Sequence, residues 1–259
     1  MAENGIALSL RGKMAVISGG SRGIGAATVR MFVTAGARVL FSYRKNKHAA
    51  DEVVRACGKD TCVAVQADLH DSAGAKKLID AAVRRFGRLD ILVANHGVWP
   101  PQDVTVSEMS DAQWRRTVAV NLDSVFGLVK HAVAQMKRQR SGGHLVLVSS
   151  TAGQRGEAYH CDYAATKGAL ISMVKGLATE LAADGIYVNC VAPGWVNTDM
   201  AAPALNDVEM RRRALEKIPL GRVATPEEIA APILFLCTEH AGFITGEIFN
   251  VNGGAVLVG

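Results

Sequence analysis

Aromatic side chains are scarce: Phe, Trp and Tyr make up 5% of the 259 residues. A core of any size must then come from Val, Ile, Leu and Ala, which suits helices packed closely on a sheet. Cysteine is also sparse. Cys57, Cys62, Cys161, Cys190 and Cys237 are odd in number and contain no C-x-x-C pair. That argues against a disulfide scaffold and a thiolate metal site, and reads as reduced thiols in a cytoplasmic protein. No two histidines stand at metal-ligand spacing, so no metal is expected. No apolar run approaches the ~18–20 residues needed to cross a bilayer. Residues 1–10 lack a charged segment followed by an apolar run, so no signal peptide is expected. Linkers rich in Pro, Gly or Ser and internal repeats are missing too, and one domain over 1–259 is the expectation.

The net charge of +5 comes from dispersed basic residues. Without a basic stripe, nucleic acid is not an expected partner. Hydrophobic residues at 49% and charged residues at 20% exclude a disordered chain.

Short apolar runs alternate with longer helical patterns. Strands are expected at 14–18, 38–42, 61–65, 90–94, 144–149, 187–191 and 247–251. Helices are expected at 23–35, 47–57, 71–86, 111–139, 162–183 and 226–238. The strands are continuous hydrophobic runs, the mark of strands buried on both faces. Such strands, joined by helices, predict an α/β fold: a Rossmann-type, doubly wound, seven-stranded parallel sheet with helices on both faces. Residues 193–220 show the weakest periodicity and read as a substrate lid.

The first strand runs into S-G-G-S-R-G-I-G at 18–25, and a helix follows at once. Glycines permit a sharp turn and let a phosphate reach the backbone, while the new helix offers free N–H groups and a positive dipole end. In a βα unit this points to a dinucleotide. The spacing of Gly19, Gly23 and Gly25 resembles the T-G-x-x-x-G-x-G turn of the short-chain dehydrogenase/reductase family, with Ser18 where Thr is usual.

The end of the second strand, F-S-Y-R-K at 41–45, carries no carboxylate. A carboxylate there would hold the ribose of NAD and repel a 2′-phosphate, whereas the planar fork of Arg44 suits that phosphate. Arg22, in the glycine turn, serves the same end. The expected cofactor is NADP(H) rather than NAD(H).

The resemblance supplies further cofactor positions. Ser21 and Ile24 lie in the glycine turn. Asp68 and Leu69 follow the third strand, Asp68 at the adenine position. A-N-H-G at 94–97 corresponds to N-N-A-G, keeping Asn95 and Gly97 but placing Ala94 and His96 elsewhere. His96 reads as crowding near the adenosine side rather than as catalytic. P-G-W-V-N-T at 193–198 matches P-G-x-x-x-T, assigning Pro193, Gly194, Val196 and Thr198 to the nicotinamide end.

Tyr163 and Lys167 stand four residues apart on a helix, hence on one face. A nearby ammonium lowers a phenol's pKa and makes it a usable acid–base group. Alone, Y-x-x-x-K is common by chance. Ser150 lies 13 residues before Tyr163, the family's usual separation for the serine that bonds the substrate oxygen, with Ser149 the alternative. Asn121, inside a helical pattern, matches the family asparagine that distorts its helix and supports a proton relay. The resemblance thus implies Asn121, Ser150, Tyr163 and Lys167 as the catalytic set, with Tyr163 and Lys167 also on the cofactor. It spans residues 10–254.

Substrate-contact candidates are Val98, Trp99, Gln154, Tyr159, His160 and Trp195, beside Ser150 and Tyr163. The chain looks closest to 3-oxoacyl-acyl-carrier-protein reductases, which implies a 3-oxoacyl thioester or a related ketone. Sugar, polyol, steroid or xenobiotic alcohol chemistry is the alternative, and a noncatalytic NADP-binding module the remote one. Acyl carrier protein is a candidate partner through Arg138 and Arg140, although Asp184 is acidic where carrier-docking members tend to be basic. The family implies a homotetramer using the long helices and the C-terminal strand.

Overall fold

The structure is a computed structural model and describes residues 7–70 and 72–258. Residues 1–6, on which part of the signal-peptide reading falls, lie outside the described residues, as do residue 71 and residue 259.

Seven strands form one sheet: β1 (Met14–Ile17), β2 (Arg38–Tyr43), β3 (Cys62–Gln66), β4 (Ile91–Ala94), β5 (Gly143–Val148), β6 (Ile186–Pro193) and β7 (Ile248–Val251). Their spatial order is β3-β2-β1-β4-β5-β6-β7, and every neighbouring pair is parallel. The order reverses between β1 and β4. At such a switch point the two flanking connections leave on opposite faces, opening a crevice at the strands' carboxyl ends.

Helices cover both faces. Helices α1 (Gly23–Thr34), α2 (Lys47–Cys57) and α10 (Pro226–Phe235) lie on one side. There Val29, Phe32, Ile229 and Ile233 pack with Ile17, Val39, Phe41 and Val93. Helices α3 (Ser72–Phe86), α5 (Ser124–Gln139) and α7 (Cys161–Leu181) lie on the other. Leu78, Leu128 and Leu170 meet Val16, Leu92 and Leu145 there. Adjacent residues of β1 thus feed opposite cores, which is why its run is apolar without alternation.

Three differences from the sequence expectation bear on the site. The helix expected over 111–139 is α4 (Asp111–Val118) and α5, joined by a π-helical turn at Ala119–Asp123. A short helix α6 (Thr151–Arg155) follows β5, started by Ser150, whose side chain accepts the Ala152 N–H. The segment 193–220 is not irregular throughout: it carries α8 (Ala202–Leu205) and α9 (Val208–Glu216), the latter capped by Asp207 accepting from Met210 N–H. Among the described residues no helix is long and apolar enough to cross a membrane.

Candidate active site

A cleft of about 520 Å³ opens at the switch point, within the ~300–1,000 Å³ range of ligand pockets. It runs from the glycine turn past the ends of β4 and β5 to the start of the 193–220 segment.

The phosphate end is built by the glycine turn. Gly19 has φ of +69°, costly for a side chain. A Cβ on Gly25 would lie 2.1 Å from the Gly19 carbonyl oxygen, so only glycine lets the helix start against the turn. The turn is held from below: Gly19 N–H donates to Ser42 Oγ at 3.1 Å, and Asn95 Nδ2 donates to the Ser18 and Gly19 carbonyls at 3.1 and 3.3 Å. Helix α1 has neither a side-chain cap nor an acid in its first turn. Its first N–H groups therefore lack intrahelical and capping partners, which fits the phosphates of a dinucleotide. Ser21, Arg22, Gly23 and Ile24 line the same end.

Arg44, Asp68 and Leu69 also line the cleft. Arg44 Nε lies 3.4 Å from Asp68, and Arg22 lies 3.5 Å from Asp199, all with half or more of the side chain in solvent except Asp68 at 49%. Burial alone would raise the Asp68 carboxyl, but hydrogen bonds from His70 and the Arg44 charge hold it below its ordinary value. Both arginines are thus ion-paired and solvated at the rim.

His96 lines the cleft beside the glycine turn and also bridges two turns. Its Nδ1 lies 2.7 Å from Ser18 Oγ and its Nε2 lies 2.6 Å from Ser124 Oγ. Ser124 spends its own proton on the Val120 carbonyl at 2.6 Å. Nε2 must therefore carry the ring proton, leaving Nδ1 to accept from Ser18. Burial, then the nearby Lys167 charge, push this histidine down to about 4.

Asn121 sits in the π turn. Its Oδ1 accepts the Val98 N–H at 2.8 Å and its Nδ2 donates to the Val98 carbonyl at 2.9 Å. The side chain thus anchors the segment leaving β4, and its Oδ1 and the Lys167 ammonium both border Gly97. Gly97, Val98 and Trp99 border the cleft as a result.

Ser149 and Ser150 both line the cleft but differ in what their hydroxyls meet. Ser149 is buried and donates to the Lys167 carbonyl at 2.7 Å. Ser150 lines the cleft with Tyr163 and Lys167. The Lys167 ammonium donates to the Val148 carbonyl at 2.8 Å and lies 5.8 Å from the Tyr163 ring centre. Burial lowers it to about 8. The expected depression of Tyr163 is reversed: burial pushes its hydroxyl up to about 12, the Ser150 bond pulls it down, and the Glu157 charge adds to the rise. Desolvation of the phenolate is the largest cause of the rise.

Pro193, Gly194, Trp195, Val196 and Thr198 form the far wall. Val196 pairs with Ala224 in an isolated bridge, and Thr198 caps the turn by accepting the Ala201 N–H at 3.4 Å. Only 193–201 of the expected lid reaches the cleft; 202–220 do not line it.

Of the substrate candidates, Val98, Trp99 and Trp195 line the cleft and Gln154, Tyr159 and His160 do not. Gln154 turns to Asn250. Tyr159 has φ of +67°, its carbonyl accepts from Val104 N–H, and its ring is exposed. His160 is buried behind Trp99, stacked at 4.9 Å. Arg155 and Glu157, neither expected from the sequence, do line the cleft. Among the described residues no cluster of three His, Cys, Asp or Glu is placed to hold a metal.

Comparison with known proteins agrees with this geometry. The family described as Enoyl-(Acyl carrier protein) reductase matches residues 19–256. A 3-oxoacyl-[acyl-carrier-protein] reductase FabG of Staphylococcus aureus is 38% identical over 248 residues, 95% of this chain and 98% of its own. An L-rhamnose 1-dehydrogenase (NAD(P)(+)) of Azotobacter vinelandii is 36% identical, covering 93% and 96%. Among solved structures, a 3-ketoacyl-(acyl-carrier-protein) reductase from Brucella melitensis complexed with NADH superposes with a TM-score of 0.88 at 30% identity, over 96% of this chain and 100% of that one.

Proposed function

The chain belongs to the short-chain dehydrogenase/reductase family, oxidoreductases that act on a carbonyl/alcohol pair with a nicotinamide cofactor, and on that premise we propose an NADP(H)-dependent ketone reductase. The observation that carries the reading is one cleft joining an uncapped helix N-terminus to Ser150, Tyr163 and Lys167. The bound cofactor supplies or accepts the hydride. Ser150 donates to the substrate oxygen. Tyr163 carries its proton at neutral pH, as an ordinary phenol does, and delivers it to that oxygen during carbonyl reduction. Lys167 binds the nicotinamide ribose and carries charge next to the tyrosine. Asn121 holds the segment after β4 and maintains the proton relay to Lys167. Arg22 and Arg44, ion-paired at the rim to Asp199 and Asp68, would hold the 2′-phosphate. Gly19, Gly23, Gly25, Asn95, Pro193, Gly194, Val196 and Thr198 shape the cofactor groove.

The relatives' names favour a 3-oxoacyl thioester or a related ketone. A second reading, a free sugar, polyol, steroid or xenobiotic substrate, is favoured by the acidic Asp184, ion-paired to Lys137 at 2.8 Å, where carrier-docking members tend to be basic. The five free thiols suit a cytoplasmic setting. A homotetramer is the proposed assembly.

The test is NADPH oxidation across acetoacetyl thioesters, quinones, sugars and steroidal ketones, in the wild type and in Tyr163→Phe. Turnover should fall at least ~10²-fold in the variant with cofactor affinity retained. Undiminished turnover in Tyr163→Phe would remove the assignment.

A further inference from the structure

The substrate end of the cleft holds a carboxyl group that the chemistry above leaves unused. Glu157 lines the cleft together with Ser150, Tyr163, Trp99 and Trp195. One of its oxygens accepts the Trp99 indole N–H at 3.3 Å. His160 stacks on the back of that indole, 4.9 Å between centres and 15° between planes, with Nε2 2.8 Å from the Pro100 carbonyl. Trp195 meets Trp99 edge-on at 6.1 Å and 82°. The indole of Trp99 is thus clamped in place, and the wall it forms is apolar over its rings with a single acidic acceptor at its edge.

Burial pushes the Glu157 carboxyl above its ordinary range, against His160, the Trp99 bond and Arg155, which all favour its charge. Its charge in turn raises Tyr163, so the two groups share one small space. A half-buried carboxylate has more acceptor capacity than one indole N–H can satisfy. Seating an aliphatic acyl chain there would strip its water and return no donor, a cost with no compensation. An anionic substrate group would likewise bring no donor to that carboxylate. A molecule with several hydroxyls meets both demands: its O–H groups donate to the carboxylate, and its C–H face packs on the indole.

We propose that Glu157 is a specificity-determining residue that selects hydroxyl-bearing carbonyl compounds and polyols, accepting a hydrogen bond from a hydroxyl other than the one at the reacting carbon. This rests on the oxidoreductase reading of the same cleft and takes its second arm, the sugar or polyol substrate, over the 3-oxoacyl thioester. The test compares Glu157→Gln and Glu157→Leu with wild type. One readout is kcat/KM for a pentitol and a hexitol against alkan-2-ols of the same carbon number. The other is tryptophan fluorescence titrated with the same polyols, which needs no turnover. The polyol-to-alkanol ratio should fall at least ~10-fold in Glu157→Leu and less in Glu157→Gln, whose amide oxygen still accepts. Polyol affinity by fluorescence should follow the same order. Equal losses on both alcohols in Glu157→Leu, rescued by Glu157→Gln, would overturn the proposal and leave Glu157 as a brace for Trp99. Unchanged polyol affinity in Glu157→Leu would also overturn it. If wild type oxidises no alcohol and reduces no carbonyl, the oxidoreductase reading fails instead, and the fluorescence titration still decides the role of Glu157.

Discussion

The ammonium of Lys167 donates to the carbonyl of Val148 at 2.8 Å, tying α7 to the last residue of β5. A buried ammonium held by a neutral carbonyl is under-compensated, and its pKa falls to about 8 from 10.5. Below about pH 8 the lysine is charged in both folded and unfolded chains, and its burial costs stability in full. Between about 8 and 10.5 the folded protein has shed a proton that the unfolded chain keeps, so the cost shrinks as pH rises. Lys167→Met should therefore raise stability at pH 7 by roughly 1–3 kcal/mol, with the gain fading towards pH 10.5. Urea unfolding of both proteins across that range measures it. A gain independent of pH would show that packing, not charge, is responsible.

The rim arginines make the cofactor choice testable. Arg44 is ion-paired to Asp68 and solvent-exposed on more than half its side chain. A 2′-phosphate offers it a stronger, bidentate partner. Arg44→Ala should lower the NADPH-to-NADH ratio of kcat/KM by about 10-fold, and Arg44→Asp should reverse the preference. A ratio unmoved by both substitutions would leave NADP(H) selection without a basis.

His96 links the glycine turn to the π turn through Ser18 and Ser124. Its pKa, held at about 4, lies below the ordinary 6.5, so the unfolded chain takes up the proton first on acidification. Stability contributed by the neutral ring is complete above pH 6.5 and lost as pH falls through about 4. His96→Ala should be less stable than wild type at pH 7, and the difference should narrow by up to about 3 kcal/mol by pH 4. Thermal melts at pH 7, 5.5 and 4.5 check the trend.

Several large apolar side chains face solvent in the isolated chain. Trp114 on α4 and Phe126 on α5 are 43% and 55% exposed, and Phe243 and Leu257 are almost fully so. Apolar surface of this kind is commonly covered by another subunit. Light scattering should find a four-chain mass for the wild type and a smaller one for Phe126→Glu. A monomeric wild type would refute the tetramer.

Much of this protein is legible in its residue order because the information is local. Strand-length apolar runs alternating with helical periods imply a parallel sheet covered on both faces, since only doubly buried strands dispense with alternation. The turn from Ser18 to Gly25 and the four-residue step from Tyr163 to Lys167 are backbone and helix-face facts. They survive into three dimensions unchanged. Contacts between distant residues had to await the tertiary structure. The Lys167 carbonyl, 18 residues on, takes the hydroxyl proton of Ser149, and nothing in the residue order shows that. Val98 engages both polar atoms of the Asn121 side chain. Burial sets the direction of the Tyr163 shift against the expectation from its charged neighbour. Glu157 means nothing as a letter in a loop. It acquires a role only where the chain brings Trp99 against it from 58 residues away, because a carboxylate's chemistry depends on what surrounds it and not on what adjoins it in sequence.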